Sequence, residues 1–201
     1  MTRKGGNLSQ VIDGDLYSSY FDPNLVREAL RFTPGKGDIV QATYPASGTH
    51  WMLQMTQLIV YKGRSASSYR EFGSRYEFLE LVGKPAAAAS TTTPRLLATH
   101  IRPGKIAASP EAKYVYVARN PWDVCASLYE LQGQLRGPDD RQTWDDFVTL
   151  FWEGLAGTGD YFEHVHSGYL RKGDPNVFFV TYEEMAADPG DVVMQSRRLS
   201  R

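Results

Sequence analysis

The chain is poor in cysteine, in net charge and in long apolar runs. Its one cysteine, Cys125, leaves no intramolecular disulfide and no cysteine metal cluster, a usage that suits a reducing compartment, so we expect a cytosolic protein. A formal net charge of -1 argues against a general binder of nucleic acid or of acidic membranes, both of which need a basic excess. Any anion site must then be local. The N-terminus, MTRKGGNLSQ, offers no apolar core for a signal peptide, and no stretch approaches the about 18 apolar residues of a membrane span. The four histidines are scattered, and the HVH at 164–166 would point its two rings about 200° apart on a helix. We therefore expect no metal site.

The composition, 42% hydrophobic against 22% charged, is that of a globular protein, and 201 residues suffice for one domain with a full core. Residues 1–20 read as polar with scattered apolar positions. Asp22-Pro23-Asn24 reads as a cap before a short helix, LVREALRF. Strands are expected at 38–43 (DIVQAT), 95–100 (RLLATH), 113–118 (KYVYVA) and 176–181 (NVFFVT). Helix-like runs follow most of them. THWMLQMTQLIVY (49–61) places apolar residues at 52, 55, 58 and 59, and WDVCASLYELQ follows Asn120 as cap and Pro121 as first helical residue. Thr143 and Asp146 resemble a capping box opening TWDDFVTLFWEGL, with Phe147, Leu150, Phe151 and Leu155 on one face. A further helix is expected over 161–171, and another from the acidic start of YEEMAADP. Residues 62–94, rich in Gly and Ser and ending in KPAAAASTTTP, read mostly as surface loop. Repeated strand-then-helix units predict an α/β fold with a mainly parallel sheet, and place the ligand site at the carboxyl ends of its strands.

Three stretches lie at those ends: TYPASGTHW (43–51), ARNPWDVCAS (118–127) and VTYEEM (180–185). In the first, Gly48 permits close backbone approach and a helix N-terminus faces outward, which together favour phosphate or sulfate. An ordinary N-cap by Ser47 or Thr49 accounts for the same residues equally well. The loop is not a Walker A motif, since GxxxxGK[ST] is absent. In the second, Arg119 leaves a strand and Ser127 lies eight residues on, so both meet one anion only if the ligand lies beside the helix. Arg119 paired with Asp123 is the plain alternative.

Together these stretches resemble the cytosolic sulfotransferase family. TYPASGTHW is similar to its TYPKSGTTW, YVARNPWDVCAS to its RNPKDV followed by Ser, LLATH to its LLKTH, and VTYEEMAADP to its YEDMKEDP. The likeness runs from about Asp38 to Pro189. It implies a P-loop-like three-layer fold, with the central sheet flanked by helices, and 3′-phosphoadenosine 5′-phosphosulfate (PAPS) as co-substrate without a metal. By position, Ser47, Gly48, Thr49 and His50 would line the 5′-phosphosulfate, Trp51 would stack on adenine and Tyr182 would touch the base. Arg119 and Ser127 would hold the 3′-phosphate, and His100 would be the general base for a small phenol, alcohol or amine acceptor. Acceptor-lining residues are expected in the loops at 62–94 and 131–142; Tyr17, Phe21, Tyr76 and Phe78 are candidate aromatic walls, with ordinary core packing the commoner use of any one of them.

Two lysines of the family pattern are replaced, by Ala46 in the loop and by Ala98 before the TH. Loss of one charge-assisted donor commonly costs about 2.7–4 kcal/mol in the transition state. His50, Arg102 or Lys105 would be the compensating donors. The resemblance further implies that residues 1–201 form a single domain lacking the family's C-terminal nucleotide-closing segment and its dimerisation motif. A family-type homodimer is accordingly not expected, and a non-catalytic nucleotide-binding relative or an inactive truncated fragment is the alternative to an enzyme.

Overall fold

The computed structural model describes residues 8–85, 94–136 and 142–200. Its centre is β3 (Asp38–Thr43), in which all six residues are buried. β3 pairs in parallel with β5 (Arg95–Thr99) on one side and with β6 (Lys113–Ala118) on the other. β4 (Glu77–Phe78) extends the sheet beyond β5, and β7 (Val177–Thr181) extends it beyond β6, giving the parallel order β4-β5-β3-β6-β7. Strands buried on both faces read as continuous apolar runs, as KYVYVA and VFFVT do. Alternate residues then face opposite layers. Ile39 packs with Met52 and Met55 of α2 (Thr49–Val60), Met185 of α8 (Tyr182–Ala187) and Val192 of α9 (Pro189–Ser196), whereas Val40 packs with Val26 and Ala29 of α1 (Pro23–Arg31). The result is the three-layer α/β fold that the sequence implied.

After β3 the chain builds β4 and β5 to one side, then crosses to β6 on the other. Such a reversal opens a crevice at the carboxyl ends of the strands, the general ligand position in open α/β sheets. α5 (Pro121–Arg136) leaves β6 with Asn120 Oδ1 accepting the Trp122 N–H at 2.9 Å. Thr181 and Glu184 close a reciprocal capping box at the start of α8.

Four differences from the sequence reading have physical causes. Residues 1–20 are more than a polar lead-in: β1 (Ser9–Ile12) and β2 (Asp15–Ser18) form an antiparallel hairpin through Asp13-Gly14, both at positive φ (52° and 91°). A two-residue Asp-Gly turn matches the right-handed strand twist. The region 62–94 also carries structure, namely α3 (Tyr69–Ser74), β4 and α4 (Leu79–Val82), because Phe72, Leu79 and Glu80 are drawn into the core; residues 86–93 of that stretch lie outside the described residues. In the expected loop at 131–142, α5 continues through Arg136, and 137–141 lie outside the described residues. α6 (Trp144–Trp152) stops short of Leu155, which is exposed, since Gly154 turns the chain at φ 72°. α7 (Tyr161–Tyr169) follows, capped by Asp160. Among the described residues no helix is long and apolar enough to cross a membrane.

Candidate active site

The β3–α2 loop is held from below and left open above. Tyr44 is buried, and its hydroxyl donates to the carbonyls of Ala156 (3.2 Å) and Gly159 (3.0 Å). The Ser47 N–H donates to the Tyr44 carbonyl at 3.2 Å, while Ala46 and Gly48 take left-handed φ values of 61° and 97°. Such backbone directs successive N–H groups toward one point. Gly48 caps α2 without any side-chain hydrogen bond, so neither Ser47 nor Thr49 serves as an ordinary N-cap. Instead the Thr49 hydroxyl pairs with that of Thr43 at 2.7 Å, and the Ser47 Oγ is buried without a partner. An orphaned hydroxyl beside free helical N–H groups is a fit for an anion.

The second stretch meets the first. Arg119 turns toward the loop rather than to Asp123: its Nη1 donates to the Ala46 carbonyl at 2.8 Å and to Ser127 Oγ at 3.2 Å. Its guanidinium carbon lies 4.2 Å above the centre of the Tyr182 ring, and its Nε is buried without a partner. Tyr182 in turn meets Trp51 edge-on at 5.2 Å. A Cβ added to Gly48 would come within 2.8 Å of Tyr182 Cδ2, so the glycine is what lets this ring close over the loop. Ser47, Gly48, Trp51, Arg119, Ser127 and Tyr182 thus share one region although they come from three separate stretches. His50, at the start of α2, packs against α3. It is exposed and contacts Tyr69 and Phe72 edge-on at 6.3 and 5.9 Å.

His100 occupies the carboxyl end of β5, next to this loop. Its Nδ1 lies 2.7 Å from the Thr43 carbonyl. A carbonyl only accepts, so Nδ1 carries the proton and Nε2 keeps its lone pair. The His100 N–H donates to Glu80 Oε1 at 2.6 Å, and the His100 carbonyl accepts from His164 Nε2 at 3.1 Å. Burial lowers the His100 pKa to about 4 and that of His164 to about 3, and raises that of Glu80 to about 7. His100 is therefore neutral at neutral pH, in the tautomer that can take a proton at Nε2.

A cavity of about 430 Å³ of empty space, counted to its open mouth, adjoins His100 and is bounded by Tyr17, Thr158 and Asp160. Its rim carries two ion pairs, Lys105 with Asp15 at 2.9 Å and Arg102 with Glu163. Those two cations are thus engaged with carboxylates at the cavity rim. Phe78 meets His100 at 5.0 Å and Phe21 stacks on Phe78 at 6.1 Å. Tyr76 packs on Phe72 instead. Ala98 is fully buried in β5, in one cluster with Leu53 and Phe72. The residues that sequence reasoning missed are Thr43, Glu80, His164 and Tyr116. Glu80 carried no local signal, and His164 gave only the weak one that a helix sets it opposite His166.

Comparison with known proteins finds relatives in sequence and in fold. The sulfotransferase domain family matches residues 36–198. The chain is 36% identical to human Sulfotransferase 2B1 over 164 residues, covering 75% of this chain and 42% of that protein. It is 32% identical to Mus musculus Sulfotransferase 1A1 over 174 residues, covering 82% and 60% respectively. It thus spans about half the length of the curated relatives it matches. Among solved structures, mouse sulfotransferase SULT7A1 complexed with PAP superposes with a TM-score of 0.77 at 24% identity, covering 96% of this chain and 69% of that one.

Proposed function

The chain belongs to the sulfotransferase domain family, and from that premise we propose that it binds PAPS and transfers the sulfuryl group to a hydroxyl or amine of a small acceptor. The observation that carries the proposal is the pair of buried, unpartnered atoms, Ser47 Oγ and Arg119 Nε, at a helix start that no side chain caps. Two polar atoms left unsatisfied in a protein interior are costly, and an anion on the loop would relieve that cost. PAPS supplies the activated sulfuryl group. Ser47 and the N–H groups of the loop would hold its 5′ end, Arg119 and Ser127 its 3′-phosphate, and Trp51 and Tyr182 its base. His100 Nε2 would accept the acceptor's proton as the new sulfur–oxygen or sulfur–nitrogen bond forms. The bond from sulfur to the bridging phosphate oxygen breaks, leaving its electron pair on the 5′-phosphate. The transferring group carries spread charge, so preorganised donors matter more than covalent chemistry. The lone, buried thiol of Cys125 supports the cytosol as the place of reaction.

A second reading, nucleotide binding without turnover, is favoured by Ala46. No cation projects from that position, and the cation that touches the loop, Arg119, bonds its main chain rather than a free space. Calorimetry with PAP and a radiolabelled-sulfate assay over phenols, alcohols and amines separate the two. Binding with turnover that His100→Ala abolishes supports the enzyme. Binding without turnover supports the second reading, and absence of binding sinks both.

A further inference from the structure

Glu80 and His164 are buried titratable groups that the transfer step does not use. Each is about 1% exposed, and burying a polar group is unfavourable unless its hydrogen bonds are regained. Glu80 regains part of this from the Thr99 side chain and the Ile101 main chain, whose hydrogen bonds favour its charged form. What Oε1 accepts is the main-chain N–H of His100 at 2.6 Å. From the opposite side His164 Nε2 meets the His100 carbonyl at 3.1 Å. That carbonyl only accepts, so Nε2 carries the proton of the neutral ring and Nδ1 is the acceptor. Tyr116, itself 2% exposed, lies with its hydroxyl 2.7 Å from that Nδ1 and donates to it. The ring protons of His100 and His164 and the Tyr116 hydroxyl proton thus each have one position.

We propose that Glu80 and His164, the latter oriented by Tyr116, are positioning residues that clamp the main chain of His100 so that its Nδ1–H stays on the Thr43 carbonyl and Nε2 stays free. The proposal rests on His100 being the base. With both main-chain groups of His100 tied to buried side chains, the ring pivots only about its own side-chain bonds, and the third hydrogen bond, 2.7 Å to Thr43, stops that rotation. Such preorganisation matters because displacement of a reacting group by about 1 Å can cost about a hundredfold in rate.

The test uses the full chain labelled with ¹⁵N-histidine, in which long-range ¹H–¹⁵N correlations report each ring tautomer, together with steady-state transfer kinetics. The wild type should show His100 protonated at Nδ1. Glu80→Gln keeps an oxygen able to accept the N–H, so tautomer and kcat should stay near wild type. Glu80→Met and His164→Phe remove the contacts. In both, His100 should become a mixture of tautomers and kcat should fall about a hundredfold, with KM for the donor unchanged. Where Glu80→Met does not fold, Glu80→Asp decides, because its shorter side chain withdraws the carboxyl group while keeping its chemistry. A wild-type tautomer in these disruptive variants overturns the clamp, as does a kcat as low in Glu80→Gln as in Glu80→Met. If the wild type transfers no sulfate, the proposed reaction fails, and the tautomers in the same variants still decide for or against the clamp.

Discussion

Gly48→Ala tests the closure of the site most directly, because its cost divides into two parts that can be measured apart. Gly48 sits at φ 97°, where a side chain meets the following carbonyl at a cost of about 1–2 kcal/mol. The added Cβ would also lie 2.8 Å from Tyr182 Cδ2 and 3.2 Å from Met185 Cε, inside the ordinary carbon contact of about 3.5–4.0 Å. Relieving that overlap costs about 1–3 kcal/mol more. The total, about 2–5 kcal/mol, is a large share of a typical domain's stability. Urea unfolding of the wild type, Gly48→Ala, Tyr182→Ala and the double variant forms a cycle. The double variant should be less destabilised than the sum of the singles by about 1–3 kcal/mol, since the ring that the methyl strikes is gone and only the backbone cost and the milder Met185 contact remain. Gly48→Ala should also weaken PAP binding by calorimetry, because a displaced Tyr182 moves off the Arg119 guanidinium it now faces at 4.2 Å. Additive single effects would refute the seating of Tyr182 over Gly48, and a Gly48→Ala cost below about 0.5 kcal/mol would refute the left-handed turn as well.

Acid stability follows from the buried titratable groups. His100 and His164 have folded values near 4 and 3 against 6.5, so the unfolded chain takes up their protons first and stability is lost as pH falls from 6.5 toward 4. Glu80, at about 7 against 4.5, has the opposite sign: its proton favours the folded chain as pH falls from 7 to 4.5. Between pH 7 and 5 each histidine removes about 2 kcal/mol and Glu80 returns about 2, so Glu80→Gln should lose about 4 kcal/mol where the wild type loses about 2. Equal losses in urea unfolding at the two pH values would contradict the assignment. Ala46→Lys adds a cation at a position already left-handed, and should raise the transfer rate about a hundredfold where its absence limits the reaction; an unchanged rate in the sulfate assay means another donor acts there. Arg119→Lys exchanges a planar fork for a point charge and should weaken PAP binding about tenfold or more by calorimetry, with the urea midpoint little changed.

Much of the sheet was legible because its signals are local. DIVQAT and KYVYVA are strands with the bounds their β-branched and aromatic residues mark, and the Asn120-Pro121 and Thr143 caps start helices where their side chains meet free N–H groups. The hairpin at Ser9–Ser18 escaped notice because its strands are short and only partly apolar, although Asp13-Gly14 was a usable turn signal. α3, β4 and α4 escaped for a different reason. Their Gly- and Ser-rich surroundings suggest a loop, and only the space beside β5 and α1 explains why Phe72, Leu79 and Glu80 are buried.

The amino-acid order alone determined the central strands at 38–43 and 113–118 and the helices that follow them, and that Ala46 leaves the loop after β3 without a lysine. These properties depend on neighbours a few residues apart, where spacing and side-chain type suffice. Tertiary structure alone decided that Arg119 reaches both Ala46 and Ser127, that Arg102 and Lys105 are held at the cavity rim, and that Glu80 and His164 close on His100. Each of those contacts joins side chains brought together by packing on the sheet, and no local pattern encodes how far a side chain reaches across it.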